Sequence, residues 1–339
     1  MSDLRKDPLS GRWVIIAESR DKRPIEFERA ALRRSSMRCP FCAGNEQDTP
    51  TAIANYQLAG AEVSADWQVR VVPNKYPALN GKTEVGHNVD GAYESMQSVG
   101  SHEVIIESPK HCTSVTDLTR DETRLIFSVY RDRLLELSRS QHRSYVLVFK
   151  NSGPAAGASL EHLHSQLIAT PFIPTDIQVE VDNSSRFFER EKACLLCNIL
   201  KREIEDAERV AAKTTNFVAF CPFASRFSHE VWIVPRRHKN RFETTDDAQL
   251  RELSDLVMEM IDRLEKALDR PSYNWLLHNS PFDINMSEHY HWHIEVFPRN
   301  SVVAGYELGS GCYINPMPPE QAAATLRSVT SNKYADFPA

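Results

Sequence analysis

The alternation of apolar and polar positions along this chain predicts two similar runs of strands, each with one long helix. In the first run, apolar strand patterns at residues 68–73, 102–107 and 145–150 are bounded by proline or turn residues. A helix is predicted between the second and third strands, because Thr119 and Glu122 have the spacing of a capping box. The apolar stripe of this helix consists of Leu118, Leu125, Ile126, Val129, Leu134 and Leu135. Such a stripe indicates a helix packed on a hydrophobic core.

The same order of features returns in the second half of the chain. Strand patterns at residues 217–223, 229–235 and 273–280 accompany a second amphipathic helix over residues 250–264. The corresponding residues are Cys39 and Cys194, Cys42 and Cys197, His111 and His238, His162 and His291, His164 and His293, and Gln166 and Glu295. His162 follows His111 by 51 residues (162−111), and His291 follows His238 by 53 residues (291−238). A repeat of this length indicates two copies of one domain rather than a solenoid.

We therefore predict an α+β fold of two tandem domains, each an antiparallel sheet with a long helix. The first domain is expected over residues 1–172 and the second over residues 193–339. Residues 173–192 are rich in Pro, Asp, Asn, Ser and mixed charge, which suits a linker. The Gly-rich segment 304–316 is predicted to be ordered but not helical.

Length and composition narrow the class of protein. The 339 residues are enough for two domains, and 41% hydrophobic with 25% charged residues is typical of a globular protein. A net charge of −6 argues against broad nucleic-acid binding by charge. No apolar run reaches about 18 residues and no apolar signal segment is visible. We expect a cytoplasmic protein without a membrane anchor.

The cysteine pattern indicates metal binding. Four of the seven cysteines form two Cys-x-x-Cys pairs, which in a cytoplasmic chain suggests metal ligands rather than a disulfide framework. The thiolates of Cys39 and Cys42 could share a tetrahedral metal. A thioredoxin-like redox pair is less favoured, because Pro and Phe between the cysteines and Gly44-Asn45 after them indicate a turn. The remaining ligands are then expected to be histidines farther along the chain.

The segment from residue 151 to residue 166 carries the strongest chemical signal. Its polar and glycine positions are Asn151, Gly157, Ser159, His162, His164 and Gln166. Small residues before the histidines allow close approach of an anionic group, and the every-second-residue spacing places the last three side chains on one face of a strand. Imidazole and amide groups there could offer a nucleophile and neutral donors to a phosphate. A half-buried strand with hydrogen-bonded histidines is the alternative interpretation.

These residues resemble the active-site signature of the galactose-1-phosphate uridylyltransferase family, within the histidine-triad superfamily. The shared pattern is Asn, a small-residue run, Gly, any residue, Ser, two residues, and His-any-His-any-Gln. The resemblance covers nearly the whole chain. It implies that His164 attacks the α-phosphorus of a nucleotide sugar, that Gln166 and Ser159 stabilise the phosphoryl oxygens, and that Asn151 and Gly157 belong to the substrate loop.

The resemblance also implies two zinc ions per chain. The expected ligands are Cys39, Cys42, His111 and His162 at the first site, and Cys194, Cys197, His238 and His291 at the second. His289 and His293 are alternatives for the last ligand of the second site, and the best-known enterobacterial relatives use a different second site built on Glu and His. A four-ligand site with two thiolates leaves no open position, which indicates a structural role.

Further substrate contacts follow from the same resemblance. Arg20 and Arg23 match an element near the substrate phosphates, although three cations before a proline also suit a solvated loop. Asn74 matches an element around the base and ribose, with a plain turn asparagine as the alternative. Glu307 matches a residue close to the sugar, with a surface glutamate as the alternative. Catalysis is assigned to the first half, because the second half lacks the Gly-rich loop and carries Glu295, whose charge would repel a phosphate.

The expected function is that of a UDP-glucose:hexose-1-phosphate uridylyltransferase working by a ping-pong mechanism through a nucleotidyl-histidine. Its partners would be a nucleotide sugar, a sugar 1-phosphate and a second copy of the chain in a homodimer. An ADP-glucose phosphorylase is one alternative, because Leu163 stands where the best-known uridylyltransferases have proline and adenylyl-transferring relatives do not. A zinc-stabilised nucleotide-binding protein without turnover is another.

Overall fold

The structure is a computed structural model, and it describes residues 2–22, 38–58, 66–79, 86–140 and 143–330. Arg23, one of the expected phosphate contacts, lies outside the described residues. The strands are β1 (Asp3–Lys6), β2 (Trp13–Ile16), β3 (Ala54–Tyr56), β4 (Val69–Pro73), β5 (His87–Asp90), β6 (Tyr93–Met96), β7 (Ser101–Ile106), β8 (Tyr145–Ser152), β9 (His164–Thr170), β10 (Val210–Lys213), β11 (Phe217–Phe220), β12 (Val231–Pro235), β13 (Tyr273–His278), β14 (His293–Pro298) and β15 (Tyr313–Asn315). The helices are α1 (Arg120–Ser138), α2 (Thr175–Glu191), α3 (Leu195–Asp206), α4 (Asp247–Leu268), α5 (Gly305–Ser310) and α6 (Pro319–Ser328).

A ten-stranded antiparallel sheet runs through both halves of the chain. Its strand order is β10-β11-β12-β14-β13-β8-β9-β7-β4-β3, so each half contributes five consecutive strands. The halves join where β13 pairs with β8, with Trp275 opposite Lys150. Read outward from this junction, the two halves have the same order of equivalent strands, as duplicated domains would. The prediction of two α+β units with antiparallel sheets and long helices is confirmed.

The two long helices, α1 and α4, pack against each other and share one core with one face of the sheet. The predicted capping box is present, since the Thr119 side chain accepts the Glu122 N–H and the Glu122 carboxylate accepts the Thr119 N–H. Most of the predicted stripe of α1 is buried. Leu135 was expected in the core but is 38% exposed, because it falls on the solvent side of the helix.

The opposite face of the sheet is covered differently in the two halves. Helix α3 packs on the second-half strands β10, β11 and β12. Helix α2 packs near the junction of the halves, in one cluster with Tyr145 of β8, so the segment 173–192 is largely helix rather than an irregular linker. The helical pattern was weak in the sequence because only Ile177 and Val181 form its buried apolar side. In the first half, Phe41 from the cysteine turn packs against Val104 and Ile106 on this face.

A small three-stranded sheet, β1-β2-β15, lies beside the large one. The Gly-rich segment before β15 was predicted not to be helical, but it forms the short helix α5. The Glu307 carboxylate accepts the Ala304 N–H at 3.1 Å, which stabilises the first turn, and Gly311 ends the helix with φ +67°. Within the described part of the chain, no helix combines the length and the apolar character needed to cross a membrane.

Candidate active site and metal centres

Strand β9 presents the signature histidines and glutamine to one side of the sheet. His164 is the first residue of β9, and Gln166 lies between Val104 of β7 and Phe149 of β8. Leu163 and Leu167, which alternate with the signature residues along the chain, belong to the core under α1 and α4. The signature residues therefore project to the face that these helices do not cover, as strand alternation predicts.

The ring of His164 is held in one orientation. Its Nδ1 lies 2.7 Å from the carbonyl oxygen of His162, to which Nδ1–H donates, so Nε2 carries the free lone pair. Burial lowers the pKa of His164, which favours the neutral ring. The ring of Phe41 contacts it edge-on, with the centroids 5.2 Å apart. A neutral, fixed imidazole with one free nitrogen can act as a nucleophile.

A buried ion pair lies under the same strand. Lys150 donates to the carbonyl oxygen of His164 at 3.1 Å and forms a salt bridge with Glu107. Both side chains are almost fully buried. Tyr130 and Ser165 each donate a hydroxyl to the other Glu107 oxygen at 2.7 Å. The network satisfies both charges and fixes the peptide of the candidate nucleophile.

The small-residue loop before β9 is supported by the second half of the chain. Gly157 has φ +84°, a conformation that favours glycine. The amide of Asn274 on β13 donates to the side-chain oxygen of Asn151 at 2.8 Å and to the carbonyl of Ala156 at 2.9 Å. Ser159 is exposed in the turn that leads to β9. The loop is thus exposed to solvent on one side and held by the hydrogen bonds of Asn274 on the other.

The expected substrate contacts fall in two places. Asn74 lies beside Gln166, with its Nδ2 3.3 Å from Gln166 Oε1. Arg20 instead lies in a short 3-10 helix, Glu18–Lys22, that follows β2, and Glu307 lies in α5, which precedes β15. Among the described residues, no hydrogen bond or ion pair joins either of them to the signature. The structure therefore brings the Asn74 side chain to the candidate site and leaves the roles of Arg20 and Glu307 as predictions.

The first predicted set of metal ligands converges on one point. The ligand atoms of Cys39, Cys42, His111 and His162 all lie within 4.8 Å of one another. Three of the four sulfur-to-Nδ1 distances in this set are 3.4–3.5 Å. Tetrahedral zinc with bonds of about 2.3 Å to sulfur and about 2.0–2.1 Å to nitrogen places such atoms about 3.5 Å apart. The side chains therefore fit a tetrahedral metal ion.

The electrostatics of this cluster also suit a cation. Burial lowers the pKa of His162 to about 4, so its ring is neutral, and its Nε2 donates to the carbonyl of Ser108 at 2.8 Å. That contact leaves Nδ1 free to bind metal. Burial and the adjacent Cys39 raise the pKa of Cys42 to about 11. A bound cation would compensate the charge of the Cys42 thiolate and so favour its ionised form.

The second predicted set is assembled in the same way. The ligand atoms of Cys194, Cys197, His238 and His291 lie within 4.8 Å of one another, and the Cys197 sulfur is 3.3–3.4 Å from both histidines. His289, one of the alternatives for the fourth ligand, packs its ring on Phe188 instead. The geometry favours His291 as the fourth ligand.

His293, the other alternative, belongs to a separate buried group with Glu180, His278 and Glu295. His278 contacts Glu180 at 3.0 Å, and Glu295 pairs with Arg226. His293 is fully buried and Glu295 is 3% exposed. The face that corresponds to the candidate active site is therefore closed in the second half, which agrees with the assignment of catalysis to the first half.

Comparison with known proteins identifies the family. Residues 1–174 match the model of the galactose-1-phosphate uridyl transferase N-terminal domain, and residues 180–336 match that of its C-terminal domain. The chain belongs to the galactose-1-phosphate uridyl transferase family.

Known proteins resemble the chain over nearly its whole length. ADP-glucose phosphorylase of Arabidopsis thaliana is 34% identical over 335 residues, covering 97% of this chain and 93% of that protein. Galactose-1-phosphate uridylyltransferase of Thermotoga maritima is 29% identical over 336 residues, covering 96% and 98%. A crystal structure of the A. thaliana ADP-glucose phosphorylase with bound ADP-glucose has a TM-score of 0.83 and 32% identity, covering 98% of this chain and 100% of that one. The prediction of a nucleotidyltransferase is confirmed.

Several residues at the site were not found from the family signature. Lys150 and Glu107 looked like the polar ends of buried strands, and their pairing requires the register of β7, β8 and β9. Asn274 comes from the other half of the chain. His102 lies two positions from Val104, which pairs with Gln166, and so its side chain shares the face of Gln166. Placing it there also requires the register of β7 and β9.

Proposed function

We propose that this chain transfers a nucleotidyl group from a nucleotide sugar to a phosphate-bearing acceptor through a covalent bond to His164. The observation that carries the proposal is the neutral His164 ring with Nε2 free, next to Gln166 and an open glycine-containing loop. These groups are a nucleophile and hydrogen-bond donors for a phosphoryl group. The sequence similarity to two enzymes of this class supports the same reaction.

In the first half-reaction, the lone pair of Nε2 attacks the α-phosphorus. The bond between that phosphorus and the bridging oxygen breaks, and the oxygen leaves on the β-phosphate as a sugar 1-phosphate. The imidazole becomes cationic when the P–N bond forms. The carbonyl of His162, which accepts the Nδ1–H, stabilises that charge. The Gln166 amide and the Ser159 hydroxyl donate to the phosphoryl oxygens.

In the second half-reaction, an oxygen of the acceptor phosphate attacks the same phosphorus and the P–N bond breaks. His164 returns to its neutral form, ready for another cycle. Because donor and acceptor use one pocket in turn, we expect ping-pong kinetics. The proposed small-molecule partners are a nucleotide sugar and either a sugar 1-phosphate or inorganic phosphate. We propose that the enzyme itself is a cytoplasmic homodimer.

Zinc is the metal that best suits the two Cys-Cys-His-His sets, and a bound ion would supply a rigid cross-link rather than an open coordination site. Cys39 and Cys42 hold Phe41 against the His164 ring, and His162 supplies the carbonyl that orients that ring. A metal at the first set would thus support the nucleophile without contacting substrate. The second set would fasten α3 to the segment before β14.

Two specific reactions are supported to a comparable degree. Transfer of uridylyl groups between UDP-glucose and galactose 1-phosphate is supported by the family models and the T. maritima relative. Adenylyl transfer from ADP-glucose to inorganic phosphate is supported by the A. thaliana relative and by Leu163 in place of proline. Both reactions share the same first half-step.

Separate incubations of the purified chain with UDP-glucose and ADP-glucose distinguish the two reactions. We expect one of them to release glucose 1-phosphate in an amount equal to the enzyme before an acceptor is added, because the first half-reaction then stops at the nucleotidyl-enzyme. Galactose 1-phosphate or inorganic phosphate should restart release with the matching donor. Binding of both nucleotide sugars without release would instead indicate a protein without turnover.

Metal analysis tests the zinc proposal. We expect about two zinc ions per chain, one for each Cys-Cys-His-His set. Cys39→Ser should remove one ion and destabilise the first half, with loss of nucleotidylation. Cys194→Ser, the matched change in the repeat, should remove the other with less effect on the chemistry. Freshly purified protein without zinc would contradict both sites.

A further inference from the structure

The side-chain amide of Gln166 is contacted by two groups that the reaction scheme does not use. His102 Nε2 lies 2.8 Å from Gln166 Oε1, and Asn74 Nδ2 lies 3.3 Å from the same oxygen. All three side chains are partly buried on the face of the sheet that carries His164. Which of these atoms donate is decided by backbone groups on the loop after β4.

The orientation of the Asn74 amide is fixed by the backbone of Tyr76. The Tyr76 N–H donates to Asn74 Oδ1 at 2.8 Å, so this oxygen is already used as an acceptor. The Asn74 NH₂ group is therefore the part that faces Gln166 Oε1, at 3.3 Å, and His102 Nε2, at 3.1 Å. Since an NH₂ group only donates, the atom of Gln166 that it contacts must be the oxygen.

The tautomer of His102 is fixed by the next backbone donor in the same loop. The Ala78 N–H donates to His102 Nδ1 at 3.1 Å, so Nδ1 carries a lone pair and the ring proton is on Nε2. Nε2–H then donates to Gln166 Oε1 at 2.8 Å, because the other group near Nε2, Asn74 Nδ2 at 3.1 Å, is a donor and cannot accept the proton. In addition, the Asn74 N–H donates to the carbonyl of His102 at 2.8 Å, which holds the loop against β7.

Both donors therefore direct the Gln166 amide in the same sense. With Oε1 accepting from His102 and Asn74, the NH₂ group of Gln166 points away from them and is available to a phosphoryl oxygen. A reversed amide would place its NH₂ group against two other donors and leave all three unsatisfied. Without His102, one weaker contact at 3.3 Å would decide the orientation.

We propose that His102 is a positioning residue, which acts through Gln166 by turning its NH₂ group toward the phosphoryl group under transfer. This inference rests on the proposed nucleotidyl transfer to His164. His102 itself contacts no reacting atom. It couples the loop that carries Asn74 to the charge-stabilising donor, so the loop and the phosphate site are linked by one hydrogen-bond chain.

Two substitutions separate this role from a merely structural one. His102→Asn keeps an oxygen near the position of Nδ1 to accept the Ala78 N–H, but it is too short to reach Gln166. His102→Gln places an NH₂ group near the position of Nε2, but it loses the contact with the loop. The positioning role predicts that the glutamine variant is active and the asparagine variant is slow, whereas a structural role predicts the reverse.

The measurement is the single-turnover rate of protein labelling by α-³²P nucleotide sugar, using the donor that labels the parent protein. We expect His102→Asn to be slower by about 10- to 100-fold, which is less than the cost of about 10²- to 10³-fold for removing a charge-stabilising donor altogether, with little change in the half-saturating donor concentration. His102→Gln should stay within about threefold of the parent. Zinc content and melting temperature should match the parent in both variants.

A double-mutant cycle with Gln166→Leu completes the test. If His102 acts through Gln166, His102→Asn should change the labelling rate by less than about twofold when Gln166 is already absent. Full multiplication of the two effects, or an asparagine variant as fast as the parent, would overturn the positioning role. Absence of labelling in the parent protein with both UDP-glucose and ADP-glucose would instead overturn the proposed function, so the two failures can be told apart.

Discussion

Replacing His164 with asparagine should abolish the nucleotidyl-enzyme and slow sugar 1-phosphate release by at least ~10⁴-fold, the scale of losing a catalytic nucleophile. The variant lacks Nε2, the nitrogen with the free lone pair. Its shorter amide can still donate to the carbonyl of His162, as Nδ1 does in the parent. Zinc content and melting temperature should therefore be unchanged, and labelling by α-³²P nucleotide sugar measures the chemical loss alone.

The repeat supplies a matched control for this substitution. His293 occupies the equivalent position in β14, and its Nδ1 lies 3.2 Å from the carbonyl of His291. His293→Asn should still form the nucleotidyl-enzyme, since the second-half face is closed by α2 and α3. His162→Asn should behave differently from both, losing metal and stability first. Covalent labelling that persists in His164→Asn would show that the nucleophile lies elsewhere.

The second large effect is expected from the ion pair under β9. Lys150→Met leaves the Glu107 carboxylate buried without its cation, although two hydroxyl donors remain. Removing one partner of such a pair typically costs about 3–5 kcal/mol in the free energy of unfolding. Urea denaturation of the zinc-loaded protein measures this loss. Activity should also fall, because the carbonyl of His164 loses its donor.

A compensating change separates the charge effect from loss of packing. Glu107→Gln removes the unpaired charge and keeps an acceptor for Tyr130 and Ser165. The double variant Lys150→Met with Glu107→Gln should therefore be more stable than Lys150→Met alone. If the second substitution instead lowered stability by as much as it does in the parent protein, the two side chains would not be coupled.

The architecture could be predicted from the sequence because each half of the chain shows the same pattern, so each half supports the interpretation of the other. Two Cys-x-x-Cys pairs, two capped helices and two His-x-His strands in the same order leave few folds to consider. The metal ligands were assigned from the resemblance to the family, and the repeat agrees with that assignment because each half has the same four residue types at similar intervals. The shared face of His162, His164 and Gln166 could be predicted from strand alternation, which depends only on the local sequence.

Features that depend on contacts between distant segments could not be predicted from the local sequence pattern. Most of the segment 173–192 forms a helix because Ile177 and Val181 pack in one cluster with Tyr145 of β8 and with Met286 and Tyr290, residues that are distant in sequence and absent from the local pattern. Helix α5 forms despite its glycines because Glu307 caps it. The pairing of Lys150 with Glu107 depends on strand register, and the orientation of Gln166 depends on two backbone donors in another loop.

Peptide mapping of the labelled protein tests most directly whether His164 carries the nucleotide. The parent chain is mixed with excess nucleotide sugar in the absence of acceptor, quenched at neutral pH, digested and analysed by tandem mass spectrometry. We expect one acid-labile adduct, on the peptide that contains His164, in an amount equal to the sugar 1-phosphate released. Repeated release of sugar 1-phosphate without an adduct, or an adduct on another residue, would contradict transfer through His164.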